Sequence, residues 1–230
     1  MSVFKNIKSS EVFRLKNLIA EGKGQTISYG MLDNSDVTIY MYFFDEGEGI
    51  SEMKSPFQNL IKVLDGRLRI EGESTAKLDA GDIYVVPHNT DVVITAAKSV
   101  KYLSILLPME GQLIKNIDLS TKLMAKELID YRPGQVANLT LVNKPGLNLS
   151  VIAIDEGESL KTHTAPGDAM VIALDGEANI TIADEEFTVR EGETIVMPKD
   201  IPHAVLGVTP FKFLLVLVKD AEAKKPITPN

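Results

Sequence analysis

Residues 155–176 read DEGESLKTHTAPGDAMVIALDG, and residues 45–66 of the same chain read DEGEGISEMKSPFQNLIKVLDG. Set side by side without a gap, at an offset of 110 positions, Asp45, Glu46, Gly47, Glu48, Pro56, Leu64, Asp65 and Gly66 coincide with Asp155, Glu156, Gly157, Glu158, Pro166, Leu174, Asp175 and Gly176. The match runs outward in both directions. Upstream, NIKSSEVFRLKNLI at 6–19 answers NIDLSTKLMAKELI at 116–129, and Gly24-Gln25 answers Gly134-Gln135. Downstream, AGDIYVVP at 80–87 answers EGETIVMP at 191–198 with the offset now 111, so the later copy has gained one residue. A chain of 230 residues that repeats itself in this way is two units of about 110, each long enough to bury its own core. The expected boundaries are 1–112 and 113–220. Residues 221–230, polar and Pro-bearing with no apolar period, are expected to form a loose tail.

Within each copy the pattern is of short strands parted by turn residues. TISYGML and VANLTLV alternate, Val37 to Phe44 and Leu147 to Ile154 have strand composition, and Leu60 to Leu64 and Met170 to Leu174 read as buried strands. Each buried strand ends in Asp-Gly, at 65–66 and 175–176, which signals a tight hairpin. Further turns are expected at Gly72 and at Asp184-Glu185, and the lead-ins at 6–19 and 116–129 as short helical or irregular pieces. So many strands with so little helix predict an all-β fold: two tandem jelly-roll barrels packed face to face as an internal pseudo-dimer.

The bulk composition removes several function classes. With a net charge of −8 and no basic run, the chain lacks the clustered Lys and Arg on which nucleic-acid backbone binding rests. Having no cysteine excludes disulfides, thiolate metal sites and a Cys nucleophile. The opening MSVFKNIKSSEVF lacks the parts of a secretory signal, and the longest apolar run, Phe213 to Val218, is too short to cross a bilayer. A cytoplasmic protein with no membrane or nucleic-acid partner is expected.

These residues resemble the cupin superfamily. The first cupin motif is Gly, five residues, His, one residue, His, three or four residues, Glu, six residues, Gly; here Gly157, His163, Ala165, Ala169 and Gly176 fall at that spacing. The second motif is Gly, five residues, Pro, one residue, Gly, two residues, His; here it falls on Gly192, Pro198, Asp200 and His203. The second half is also similar to small single-domain cupins marked by HTAPGDA and a Pro-x-x-x-Pro-His-Ala stretch, present at 163–169 and 198–204. The resemblance implies a bicupin, a double-stranded β-helix repeated. In metal-binding cupins the three first-motif ligands and the second-motif His hold one divalent transition metal. This chain keeps two of the four, His163 and His203, and has Ala165 and Ala169 at the others. In the first half the four positions are Met53, Ser55, Asn59 and Val92, so that half is expected to have lost its site.

His163 and His203 are two of only three histidines, and both fall on family ligand positions. One reading is a reduced site holding a divalent transition metal (Zn, Ni, Fe or Mn) completed by water or a carboxylate ligand. The other is a pocket, lined by His163, Ala165, Ala169 and His203, that binds a small molecule without any metal. A neutral imidazole can donate, accept or gain a proton, but no nucleophile with a base stands at a recognisable spacing, so no catalytic residue is assigned. Binding leads; a metal-dependent oxygenase or isomerase is the alternative. His88, beside Pro87, reads as a solvated loop residue, Asp168 as a loop cap near the mouth, and the acidic DEGE turns as surface charge. Tyr40, Tyr42, Phe43 and Phe44 are expected to fill the first barrel or its partner sheet with rings. Cupin barrels associate through their sheets, with which a homodimer is compatible.

Overall fold

The computed structural model describes residues 2–108 and 112–219; the expected tail at 221–230 lies outside them. The first half carries β1 (Thr26–Asp33), β2 (Thr38–Phe44), β3 (Gly49–Ser55), β4 (Gln58–Glu71), β5 (Thr75–Asp79), β6 (Asp82–Val86) and β7 (Thr90–Leu107). The second carries β8 (Leu123–Met124), β9 (Val136–Lys144), β10 (Leu147–Ile154), β11 (Ser159–His163), β12 (Gly167–Asp175), β13 (Glu177–Ile182), β14 (Glu185–Arg190), β15 (Thr194–Met197), β16 (His203–Gly207) and β17 (Phe211–Lys219). Helix among the described residues is confined to 3-10 turns at Leu15–Asn17 and Ala125–Glu127, 110 positions apart, in the expected lead-ins.

The strands read as continuous apolar runs because both of their faces are buried. Along β2, Ile39, Met41 and Phe43 point into a core shared between the halves, while Phe44 joins the interior of the first half, with Tyr42 packed against it. The second half has its own interior, around Ile154, Val171, Ile180, Val205 and Phe213. The shared core takes residues from both, with Leu60 and Ile105 on one side and Met170 and Val216 on the other. An alternating strand with both faces apolar looks the same, in sequence, as an unpatterned run.

All pairings are antiparallel. In the second half, two sheets face each other, in the orders β15-β12-β17-β10-β9 and β11-β16-β13-β14. In the first half the same two faces are joined into one sheet of seven strands, with β8 of the second half as its eighth, because β4 and β7 run unbroken around the corner. The Asp-Gly pairs lie at that corner. Contrary to the expected hairpins, the chain does not double back at 65–66 or 175–176: it passes from one sheet to the other. β12 pairs with β15 and β17, whereas β13, starting one residue after Gly176, pairs with β14 and β16. The bend needs φ of +79° at Gly66 and +74° at Gly176, where only glycine is unstrained. A Cβ would also sit 1.9 Å from the Ser99 carbonyl oxygen or 1.9 Å from that of Pro210.

The lead-ins are exchanged. Phe13 exchanges both backbone hydrogen bonds with Thr194 in β15, at 3.0 and 2.7 Å, and Ser10 N donates to the Val196 carbonyl at 2.9 Å. Reciprocally, β8 pairs with β6 in the first half, Leu123 opposite Ile83, and Ser120 N donates to Val85 at 3.0 Å. Two buried side chains fasten the crossing: Asp168 accepts from Val3 N at 2.7 Å, and Gln58 accepts from Leu113 N at 2.6 Å and Ile114 N at 2.8 Å. Each half is thus closed by a segment that precedes the other half's barrel.

Candidate functional site

His163 and His203 face each other across two strands. β11 and β16 are paired with Ser159 opposite Leu206 and Leu160 opposite Val205, and then with His163 opposite His203. Three residues on one strand therefore span what two span on the other, a β-bulge. Without the extra residue the two-residue alternation would turn His163 to the face opposite His203. The first half keeps the same irregularity, with Ile50 opposite Ile94 and Met53 opposite Val92. The bulge is what makes the six-residue step from Gly157 to His163 deliver an imidazole to its partner.

The two ring centroids are 4.6 Å apart at an interplanar angle of 65°. His203 is 2% exposed and lies on the same face as Val205 of the interior core. His163 is exposed, so the pair occupies the rim of the barrel, one ring inside and one open to solvent. Each Nδ1 lies 2.8 Å from a backbone carbonyl oxygen two residues earlier, that of Lys161 for His163 and that of Ile201 for His203. A carbonyl only accepts, so both Nδ1 atoms carry a proton, and in the neutral ring Nε2 is the nitrogen with the lone pair. Burial holds the pKa of His203 below the usual histidine value, the Ile201 carbonyl pulls it back up, and the neighbouring His163 lowers it further. The site is a pair of imidazoles whose Nδ1 atoms are both occupied, leaving the two Nε2 atoms as the ones open to a ligand.

The other family positions do not add donors. Ala169 is buried on the interior face of β12, and Ala165 is buried in the loop before it, its carbonyl accepting from Asp200 N at 3.0 Å. Among the described residues no group of three or more His, Asp or Glu side chains is placed to hold a metal ion. The full cupin ligand set is therefore not met, and the donors present are two imidazole nitrogens. In the first half, Met53 and Val92 sit where the histidines sit, at the wall of an open cavity of about 950 Å³ whose rim carries Glu52, Glu71, Glu73 and Asp91. Ser55 caps its own loop through a 3.1 Å bond from Phe57 N, and buried Asn59 accepts from the Ser104 hydroxyl at 2.7 Å.

Rings fill the first interior as their strand predicts. Tyr42 stacks on Tyr102 at 5.0 Å and 18°, and Phe44 meets Tyr102 edge-on at 5.3 Å. Burial raises the pKa of both phenols, Tyr102 the more. Asp168 is a cap: besides Val3 N, its carboxylate accepts Lys199 N at 2.8 Å. The first acid of each DEGE turn is a fastener and not idle surface charge. Asp45 accepts Gly24 N at 2.7 Å and the Ser99 hydroxyl at 2.7 Å, and Asp155 accepts Gly134 N at 2.8 Å. His88, expected to be solvated, is half-buried in its loop, with Asn89 Nδ2 3.4 Å from its Nδ1. One buried polar residue carried no signal by motif or spacing: Lys62, whose counterpart is Ile172.

Residues 150–217, which include both histidine-bearing strands, match the family model described as Cupin domain. No curated protein matches the chain. Among solved structures, the Cupin 2 conserved barrel domain protein from Leptotrichia buccalis superposes with a TM-score of 0.82 at 27% identity, over 95% of this chain and 100% of that one. The salicylate 1,2-dioxygenase from Pseudaminobacter salicylatoxidans gives a TM-score of 0.67 at 12% identity, over 95% and 86% of the two chains. Protein Ylba from E. coli gives 0.59 at 15%, over 93% and 92%. At the last two identities the likeness is one of fold alone. With a domain match across the strands of the imidazole pair and a barrel protein superposing along almost the whole length, residues 150–217 form a cupin domain and the chain as a whole has the cupin fold.

Proposed function

We propose that this protein is a bicupin, with units at 1–112 and 113–220, that binds a small molecule at the rim of its second barrel. The observation that carries this reading is the His163–His203 pair with both Nδ1 atoms tied to carbonyls. Two Nε2 atoms held in place by their Nδ1 bonds select a ligand that presents hydrogen-bond donors, hydroxyl or amine groups. No helix among the described residues is long and apolar enough to cross a membrane, in keeping with a cytoplasmic role. A homodimer formed through the outer sheets belongs to the same reading.

A second reading rests on the same two Nδ1 bonds, which are the usual way a protein orients an imidazole toward a cation. His163 and His203 would hold a divalent transition metal (Zn, Ni, Fe or Mn), water or substrate completing its coordination, and the metal would supply the Lewis acidity or redox chemistry of an oxygenase or isomerase. Only two protein donors stand against the family's four, so affinity falls well short of a full site. Elemental analysis after purification without chelator separates the two: metal well below one equivalent, with saturable thermal stabilisation by a hydroxyl- or amine-bearing metabolite and no turnover, supports binding. Stoichiometric metal lost on His203→Ala supports the enzyme instead.

A further inference from the structure

Lys62 lies on β4 where the two halves meet, at the position its repeat counterpart fills with Ile172. Its side chain is 6% exposed and lines two cavities along the seam, of about 220 and 150 Å³. Among the described residues nothing holds its Nζ by a hydrogen bond or an ion pair within 4 Å. The carboxylates that act on it from a distance are Asp82, whose buried Oδ1 has no hydrogen-bond partner, and Glu191, which stands on the wall of both cavities. Asp82 takes Lys122 at 2.8 Å and Asp79 N at 2.6 Å, and Glu191 takes Lys126 at 3.8 Å. Burial outweighs them and pulls the amine down to about 8.

A buried ammonium without a partner is costly, and Ile172 shows that an apolar side chain serves this position in the fold. The cation borders open space whose apolar wall is formed by Leu15, Leu64, Ile172 and Leu174 and whose polar wall includes Glu191. Arg14 and Lys16, also on the wall, are engaged with Glu193 at 3.3 Å and Asp65 at 3.9 Å. Thr194 lines the same cavity, and its buried hydroxyl has no partner. One cation with no ion pair within 4 Å, one free hydroxyl and a partly apolar wall suit a ligand with one negative charge and a short hydrocarbon body. Phosphate would call for several donors. At about 30 Å³ per water-sized group, the larger cavity has room for roughly seven.

We propose that the seam cavity is a binding site for a small aliphatic monocarboxylate, which pairs with the Lys62 ammonium and lays its alkyl chain on Leu15, Leu64, Ile172 and Leu174. The site is separate from the imidazole pair and stands whether or not that pair binds anything. The test is calorimetric titration and thermal shift of the full chain with acetate, butyrate, hexanoate and inorganic phosphate at constant ionic strength, alongside Lys62→Met and His163→Ala. Butyrate is expected to stabilise the wild type saturably and His163→Ala equally, and to bind Lys62→Met about tenfold or more weakly, the loss expected with a charge-assisted hydrogen bond. In the wild type the Lys62 Cε–H NMR signal is expected to move with the same titration, a readout that holds even if the variant fails to fold. No saturable response to any carboxylate, an unmoved Lys62 signal, equal binding by Lys62→Met, or a response to phosphate alone would overturn the proposal.

Discussion

At His203 the environment fixes the protonation state, and with it a pH dependence. Its folded pKa lies below the value of about 6.5 it has when unfolded, so the unfolded chain binds the proton more readily. Its contribution is intact above pH 6.5 and is lost as pH falls through that value toward the folded pKa. His203→Ala should therefore flatten the loss of thermal stability between pH 7.5 and 5, at a cost near neutrality of about 1 kcal/mol for the missing bond to Ile201. Exposed His163→Ala should stay within about 0.5 kcal/mol of wild type in urea unfolding. Both variants should lose ligand response while keeping the wild-type far-UV spectrum; a variant that unfolds would make the pair structural. Lys62 has the same sign: burial lowers its pKa, so its charge weighs against folding below about pH 8. Lys62→Met should stabilise the protein by on the order of 2 kcal/mol at pH 7, with the gain shrinking as pH rises toward 10.5.

At the scale of elements, two local irregularities set the site. The bulge between Leu160 and His163 aims the imidazole, and the Gly176 bend turns β12 into β13. Gly157 and Gly176 make a controlled comparison, since both have positive φ, +76° and +74°, but only Gly176 is crowded. Gly157→Ala should cost about 1 kcal/mol for φ alone, whereas Gly176→Ala must also displace the Pro210 carbonyl and should cost several times that by urea unfolding. Equal costs would mean that the corner is loosely packed. These elements were unevenly legible in the sequence. The repeat gave the strands their places, Leu147–Ile154 to the residue, because an offset of 110 aligns two independent copies of each pattern. Asp-Gly announced a positive φ but not its use: a hairpin turn and a sheet-to-sheet corner ask the same of a backbone. The spacing paired His163 with His203, but depth follows from neighbouring loops, and no motif marks the exposure of His163.

For the molecule as a whole, the exchanged lead-ins decide what can fold alone. A repeat offset cannot say whether residues 10–13 close their own barrel or the other one, since both barrels offer an equivalent edge; β15 and β6 show that it is the other. Cutting the chain after residue 112 should therefore leave two fragments that each lack an edge segment and expose half of the shared core. Each fragment alone should give a broad, uncooperative melt, and mixing them should restore one transition. A sharp independent melt for either would show that the crossing is dispensable. Asp168→Ala, which frees two backbone donors at the crossing, should cost about 1–3 kcal/mol. Binding at the second barrel requires two imidazoles turning unprotonated Nε2 atoms toward one ligand, and long-range nitrogen–proton NMR of the histidine rings near pH 7.5 tests this directly. Both His163 and His203 should be found with the proton on Nδ1 and a bare Nε2; a proton on Nε2 of either ring would contradict it.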